Sequence, residues 1–484
     1  MPSGKPNILV IWGDDIGMWN VGAYSHGMMG RTPNIDSIAR DGCIFTDHYG
    51  QPSCTAGRAA FITGQMPVRT GMTTIGIPGS TRGIQKEDPT LAEVLKNEGY
   101  ATAQFGKNHL GDRNEFLPTS HGFDEWFGNL YHLNAEEEPE ELDYPGQKNP
   151  DYTKKFGPRG VLHAWATDKD DPTDDGIFGK RGKQKIENTG MLTRKRMETF
   201  DSEVLEHALT WLDKAGKGDK PFFCWFNTTA IHIFSHPQKK YLQAAVDEGR
   251  AEEDVVRAKM LEHDEHVGVL LAKLKELGVD DNTIVIYSTD NGNELMLWPD
   301  GGYAPFRGEK GTTWEGGVRV PCLVKWPGKI PAGSTSNGLQ NHEDLYVTLA
   351  AAAGATDVKE KLLDGHKMNG VTYKVHLDGF NQLDMWTGKS EKSARTAHYY
   401  YDETDLMAIR VNNWKMHIGI KKNNSWFNEK SYPSIPISST CAWIRWKRWI
   451  PRARNGAISG ASSLLPSCGR PMRVHRSSAS ISKA

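Results

Sequence analysis

Two tight pairs of oxygen donors stand far apart in this sequence, Asp14-Asp15 and Asp290-Asn291. Three carboxylates and one amide make an all-oxygen set that suits a hard cation, Ca2+ or Mg2+, and not zinc. Asp-Asp and Asp-Asn-Gly are also ordinary turn formers, so either pair alone says little. Lys107 and His109 are two apart, and an extended segment would point both to one face. Lys310 lies in "FRGEKGTTWEGG", a loop whose glycines would let backbone approach an anion. His232 follows an apolar run, and its proximity to that run favours it over His236. Cys54 and Arg58 lie among small residues in "PSCTAGRAAFITG". Cys43, Cys224 and Cys322 sit in or beside apolar runs and read as plain core. Taken together, these residues describe a dication, two ammonium groups, a guanidinium and two imidazoles. Such a pocket fits an oxyanion, sulfate or phosphate, and stabilises charge developing on its oxygens.

The elements that must position these residues are legible around them. "NILVIW" runs into Asp14-Asp15, "YATAQF" into Lys107 and His109, "PFFCWFN" towards His232, and "TIVIYST" into Asp290-Asn291. Near-continuous apolar runs of this kind are strands buried on both faces. Helical patterns alternate with them. "DPTLAEVLKNEGY" offers Thr90 as N-cap, Glu93 at the capping-box position and Gly99 as stop, and longer patterns end at Gly278 and Gly354. The alternation predicts an α/β sheet with helices on both faces, with ligands outside the carboxyl ends of its strands. Residues 135–200, acidic and Pro-rich and then Gly- and charge-rich, read as a long excursion over the site edge. The alternation stops near residue 372. "AHYYYDETDLMAIRVNNWKMHIG" then predicts two strands turning at Asn412-Asn413, the start of a smaller C-terminal antiparallel domain. The expected domains are 1–372 and 373–436.

Composition narrows the function. No apolar run approaches the ~18 residues of a membrane span, and the N-terminus reads as a first strand and not a leader. The expectation is a cytoplasmic protein with no membrane partner. Residues 430–484 hold no Asp or Glu and ten Lys/Arg, so with −2 for the whole chain residues 1–429 carry −12. An acidic body argues against nucleic acid as a partner.

With those residues in place the sequence resembles the formylglycine-dependent sulfatases, arylsulfatase-like members of the alkaline phosphatase superfamily. "CTAGRAAFITG" is similar to their Cys-x-Pro/Ala-x-Arg signature, "GKNHLG" to their Gly-Lys-Trp-His-Leu-Gly, and "STDNG" and Asp14-Asp15 to their metal motifs. "FRGEKGTTWEGGVRVP" is similar to their lysine-bearing loop, and the match runs in order from about residue 6 to 436. The resemblance implies a large mixed sheet flanked by helices and hydrolysis of a small sulfate ester. It also implies a maturing enzyme that oxidises Cys54 to formylglycine, whose hydrated aldehyde is nucleophile and metal ligand. Asp14, Asp15, Asp290 and Asn291 would hold Ca2+ or Mg2+ with it. Arg58 and Lys107 would support the nucleophile's oxygens, His232 and Lys310 would bind sulfate and protonate the leaving oxygen, and His109 would take the proton that lets the aldehyde re-form. Asn108 stands where the family has Trp, and Ala56 where Pro is commoner. The rival readings are a phosphonate monoester or phosphodiester hydrolase of the same superfamily, and a silent binding protein with an unmodified Cys54. The sequence leaves the sulfated substrate and the oligomeric state open.

The last residues fit none of this. A permissible back-translation of "ISSTCAWIRWKRWIP", read two nucleotides on, gives "IFNLRMDPMEKMDP", similar to what sulfatase-like chains carry after the hairpin. The expectation is a frameshift near Ile437 that makes residues 437–484 non-native. The competing readings are a basic, Trp-bearing tail for a partner or membrane surface, or divergence.

Overall fold

The computed structural model describes residues 4–440 apart from 75, 253, 297–300, 302–303 and 423–424. Beyond Thr440 the suspected out-of-frame tail lies outside the described residues.

Ten strands form one mixed sheet: β1 (Asn7–Gly13), β2 (Cys43–Phe45), β3 (Ala101–Gly106), β4 (Glu125–Gly128), β5 (Leu162–Asp174), β6 (Lys180–Asn188), β7 (Phe222–Asn227), β8 (Thr283–Thr289), β9 (Cys322–Lys325) and β10 (Ser334–Ser336). Their order is β10-β2-β9-β8-β1-β7-β3-β4-β5-β6. The strands β8, β1, β7, β3 and β4 run parallel, with Ile8 opposite both Phe223 and Ile284. Every residue of β1 is buried. Ile8, Val10 and Trp12 enter the core on one face, and Leu9 and Ile11 enter the core on the other. That split is why "NILVIW" is apolar throughout and does not alternate.

Helices α1 (Pro33–Arg40), α4 (Arg194–Gly216) and α5 (Val255–Glu276) cover one face, and α2 (Cys54–Thr63), α3 (Leu91–Asn97) and α6 (His342–Ala352) cover the other. The capping box of α3 is closed: Glu93 N donates to Thr90 Oγ1 at 3.1 Å and Thr90 N to Glu93 Oε2 at 2.7 Å. Among the described residues no helix is long and apolar enough to cross a membrane.

Two expectations need correction. Residues 135–200 are not only an excursion, because β5 and β6 form a hairpin that extends the sheet at its edge. Their outer positions are charged, as an edge strand requires to avoid pairing with a neighbour, and that charge masked the strand pattern. The C-terminal hairpin has one strand more than expected: β11 (Ala397–Asp402), β12 (Asp405–Val411) and β13 (Trp414–His417), joined at the edge by β14 (Ile437–Thr440). The missed turn is at Glu403, with φ 56°, where no glycine announced it.

Candidate active site

Four adjacent parallel strands end on one side of the sheet, and each delivers part of the constellation. β1 runs into Asp14 and Asp15, β8 into Asp290 and Asn291, β3 into Lys107 and His109, and β7 towards His232. Lys310 comes from the loop between β8 and β9. Its amide donates to Asn293 O at 2.9 Å, and Gly311 N donates to Pro52 O at 2.6 Å, which ties the loop to the segment before Cys54. Lys107 and His109 are not on a strand, since β3 stops at Gly106 and His109 has φ 59°. A turn, and not strand alternation, brings both inward.

Cys54 is the first residue of α2. That helix seats against the end of β8, where a Cβ on Gly57 would lie 2.0 Å from the carbonyl oxygen of Asp290. The glycine inside "CTAGR" is therefore a condition for bringing Cys54 to the carboxylates. Arg58, one turn on, is fully buried. Its Nε and Nη2 donate to Asp290 Oδ2 at 3.0 and 2.9 Å, and its Nη1 donates to Lys107 O at 3.0 Å. The resemblance aimed Arg58 at the nucleophile, whereas here the guanidinium clamps a carboxylate that faces Cys54.

Ligand atoms of Asp14, Cys54 and Asp290 lie within 4.8 Å of one another, and so do those of Asp14, Asp15 and His232. Lys107 Nζ donates to Asp14 Oδ2. Lys310 Nζ donates to Asp15 Oδ2 at 2.7 Å and stands 3.5 Å from Glu294. Asn291 Nδ2 donates to Asp15 Oδ1 at 2.7 Å. Asp14 Oδ1 and Asn291 Oδ1 are buried and have no partner among the described residues. A buried acceptor without a donor costs about 1–3 kcal/mol. Two such oxygens in one ring of carboxylates fit a divalent hard cation.

Protonation states follow from burial and neighbours. Burial pushes the Cys54 thiol up to about 11, against Lys107 and Lys310. The thiol is therefore protonated at neutral pH and a poor nucleophile. Burial, then the Lys107 ammonium, holds His109 well below the usual imidazole range, and burial with Lys310 does the same to His232. His232 Nδ1–H donates to Ile233 O at 2.8 Å, which leaves the lone pair on Nε2, 3.8 Å from Asp15 Oδ2. Burial disfavours charge on Lys310, but Asp15 and Glu294 outweigh it and the ammonium stays charged. The site thus combines neutral imidazoles that can accept protons with a charged lysine that can donate one.

His236 is elsewhere, with Nε2 2.7 Å from Glu137 Oε2. Asn108 accepts from Gln104 Nε2 at 3.2 Å beside Lys107. His132 was missed. Its ring stacks on His232 at 6.1 Å and meets His109 edge-on at 5.8 Å, bridging the two imidazoles. Burial, then Lys107 and Lys310, lower it to about 4. The signal was present in "EWFGNLYH", an apolar strand running towards a histidine as β7 runs towards His232. Trp426, also missed, lies 5.3 Å from Lys310 Nζ, within cation–π range. Nothing in the sequence around it pointed to the site.

Residues 6–355 match the family model described as Sulfatase. The chain is 30% identical over 432 residues to the N-acetylgalactosamine-6-sulfatase of Canis lupus familiaris, covering 87% of this chain and 73% of that protein. It is 32% identical over 422 residues to arylsulfatase A of Homo sapiens, covering 85% and 74%. Among solved structures it is similar to the PsFucS1 sulfatase from Pseudoalteromonas sp., with a TM-score of 0.76, 28% identity and coverage of 90% and 84%.

Proposed function

The chain belongs to the sulfatase family, whose members hydrolyse sulfate esters, and from that premise we propose that residue 54, as formylglycine, supplies the nucleophile beside a bound Ca2+ or Mg2+. The carrying observation is the ring of Asp14, Asp290 and Cys54 with two acceptor oxygens left over. Asp14, Asp15, Asp290 and Asn291 would hold the ion, which supplies positive charge to the sulfate oxygens. The Cys54 Sγ stands in for the nucleophilic oxygen. Arg58 fixes Asp290, and Lys107 and Lys310 set two ammonium groups around the sulfate. Lys310 delivers the proton to the leaving oxygen, and His232, neutral with its lone pair on Nε2, lines the sulfate pocket beside it. His109 Nδ1, buried and without a partner among the described residues, is the acceptor for the nucleophile's second proton. Cys54 is 3% exposed, so its maturing enzyme has to act before the sheet closes.

The mass of the tryptic peptide holding Cys54 tests this reading, because oxidation replaces CH2–SH by an aldehyde. A thiol throughout, with no activity gained on coexpression with a maturing enzyme, would favour a silent binding protein. Turnover of an aryl sulfate and an aryl phosphodiester on one preparation tests the leaving group. A preference for the diester above about a hundredfold, ~2.7 kcal/mol of transition-state stabilisation, would reverse the assignment.

A further inference from the structure

Behind the segment that carries His232 lies a second buried group of charges. Asp201 on α4 and Lys259 and Glu262 on α5 are each 1% exposed. Lys259 Nζ donates to Asp201 Oδ2 at 2.8 Å and to Glu262 Oε2. All three sit on helices of the covering layer, outside the ring around Cys54. A buried ion pair holds two helices together no better than packed apolar side chains of similar volume, because both ions must leave water. Cohesion of α4 and α5 therefore does not account for these charges.

The Asp201 carboxylate closes on one residue, Thr229, just past the end of β7. Oδ1 accepts from Thr229 N at 2.8 Å, and Oδ2 accepts from Thr229 Oγ1 at 2.9 Å. Bonds to an ionised acceptor are roughly twice as strong as neutral ones. Lys259 keeps this acceptor ionised: burial pushes the Asp201 carboxyl up, and the ammonium outweighs burial and brings it below its ordinary value. From α5, His263 Nδ1 stands 3.0 Å from Thr228 Oγ1 and adds a second hold on the same segment.

Three site residues hang on the backbone held in this way. Asn227 O accepts from Lys107 N at 3.1 Å. Ala230 O accepts from Asp14 N at 2.6 Å, and Ile231 N donates to Asp14 O at 2.8 Å. Thr229 O accepts from His232 N at 3.0 Å and closes the turn that presents the imidazole. Residues 228–238 lie between β7 and the helix that begins at Lys239, in no regular element, so side chains from outside have to fix them.

We propose that Asp201 is a positioning residue for the reaction: its hold on Thr229, braced by Lys259, sets the backbone that places His232 and Asp14. The proposal rests on the roles given above to those two residues. Kinetics with an aryl sulfate, well below Tm, and Tm against Ca2+ are measured for four variants. In Asp201→Asn the amide offers one acceptor where the carboxylate offers two, and turns its N–H2 on Thr229 or on Lys259. It should lower kcat/KM by about ten- to a hundredfold, the effect of a displacement near 1 Å. Thr229→Val removes the hydroxyl at nearly constant volume and should lower it by about tenfold, while Thr229→Ser, which keeps the hydroxyl, should stay within about threefold of wild type. Glu262→Gln alters Lys259's other partner without touching Thr229 and should also stay within about threefold. The Ca2+ midpoint should rise about tenfold in Asp201→Asn and Thr229→Val and stay put in the other two.

Unchanged rates and Ca2+ midpoints in Asp201→Asn and Thr229→Val would overturn the proposal. So would a loss in Glu262→Gln as large as that in Asp201→Asn, which would make the cluster a plain support, or a loss in Thr229→Ser as large as that in Thr229→Val. If Asp201→Asn does not fold, the Thr229 pair decides. A wild type without turnover would refute the nucleophile assigned to residue 54, and the Ca2+ midpoints would still decide on Asp201.

Discussion

Two of the places where buried charge gathers in this protein are built differently. At the junction between the body and the small sheet, Glu315 has both oxygens paired. Oε1 accepts from Lys415 Nζ at 2.9 Å and Tyr400 Oη at 3.0 Å, and Oε2 accepts from Tyr49 Oη at 2.5 Å. Asp47 is shared by Arg319 and Arg410, each at 2.8 Å. At the carboxyl ends of β1 and β8, Asp14 and Asn291 each keep a buried oxygen without a donor among the described residues. A cluster that satisfies itself holds elements together, whereas one with oxygens left over is organised around something it binds. Burial alone does not separate the two, for Glu315 and Asp290 are equally hidden.

The sharpest break between them should be in turnover. Cys54→Ala is expected to lower aryl sulfate hydrolysis by a factor on the order of a thousand or more. Its stability should change by no more than about 1 kcal/mol. Retained activity would remove Cys54 from the chemistry. Lys415→Met should do the reverse. It removes the ammonium from Glu315 Oε1 and leaves Arg319, 3.5 Å from Oε2, and two tyrosine hydroxyls to hold the carboxylate, so it should cost about 1–3 kcal/mol in urea unfolding, while the rate per folded molecule stays unchanged. A loss under about 1 kcal/mol would mean that the junction is no strut.

A cation should tell the clusters apart as well. Ca2+ added to chelator-treated protein at a hundred times its Kd should stabilise the fold by about 2.7 kcal/mol. Asn291→Ala should abolish that response and Glu315→Gln should keep it, both read as Tm against Ca2+. A response lost in Glu315→Gln and kept in Asn291→Ala would move the ion away from the proposed ring.

Much of the candidate site was legible because parallel strands buried on both faces are continuous apolar words, and the residues after each word converge at one end of the sheet. Asp14, Lys107 and Asp290 were found that way. The same rule, carried to β4, would have reached His132. What could not be read was set by tertiary contact: Gly57 against the Asp290 carbonyl, Arg58 turned onto Asp290, and Trp426 above Lys310. The hairpin β5–β6 was hidden by its edge charges, and the turn at Glu403 by a side chain that occupies a conformation usually left to glycine. The junction cluster was invisible for a different reason. Tyr49, Glu315 and Lys415 are distant in sequence, and although Glu315 lies in "FRGEKGTTWEGG", that loop was read for Lys310 and its glycines.

Acid should expose the junction last. Burial pushes the Glu315 carboxyl up, but Lys415, Arg319 and Arg410 outweigh it and hold it well below its ordinary value of 4.5. A carboxyl depressed in the folded state contributes stability above the unfolded value and loses it as the pH falls through the folded one. The imidazoles of His132, His266 and His342, lowered by burial to about 4, behave in the same sense from a higher start. Their contribution begins to fade as the pH drops below 6.5. These histidines should therefore pull the raw stability down from about pH 6.5, against Glu136, Glu294 and Glu343, whose carboxyls burial raises to about 8, 7 and 7 and which add stability as the pH falls. The difference between wild type and Glu315→Gln cancels those histidines, since both proteins carry them. That difference should be flat from pH 8 to about 4.5 and then close by up to ~1.4 kcal/mol per pH unit. Urea unfolding of both proteins at half-unit steps measures it, and a difference that began to close near pH 6 would mean that the three cations do not hold Glu315 ionised.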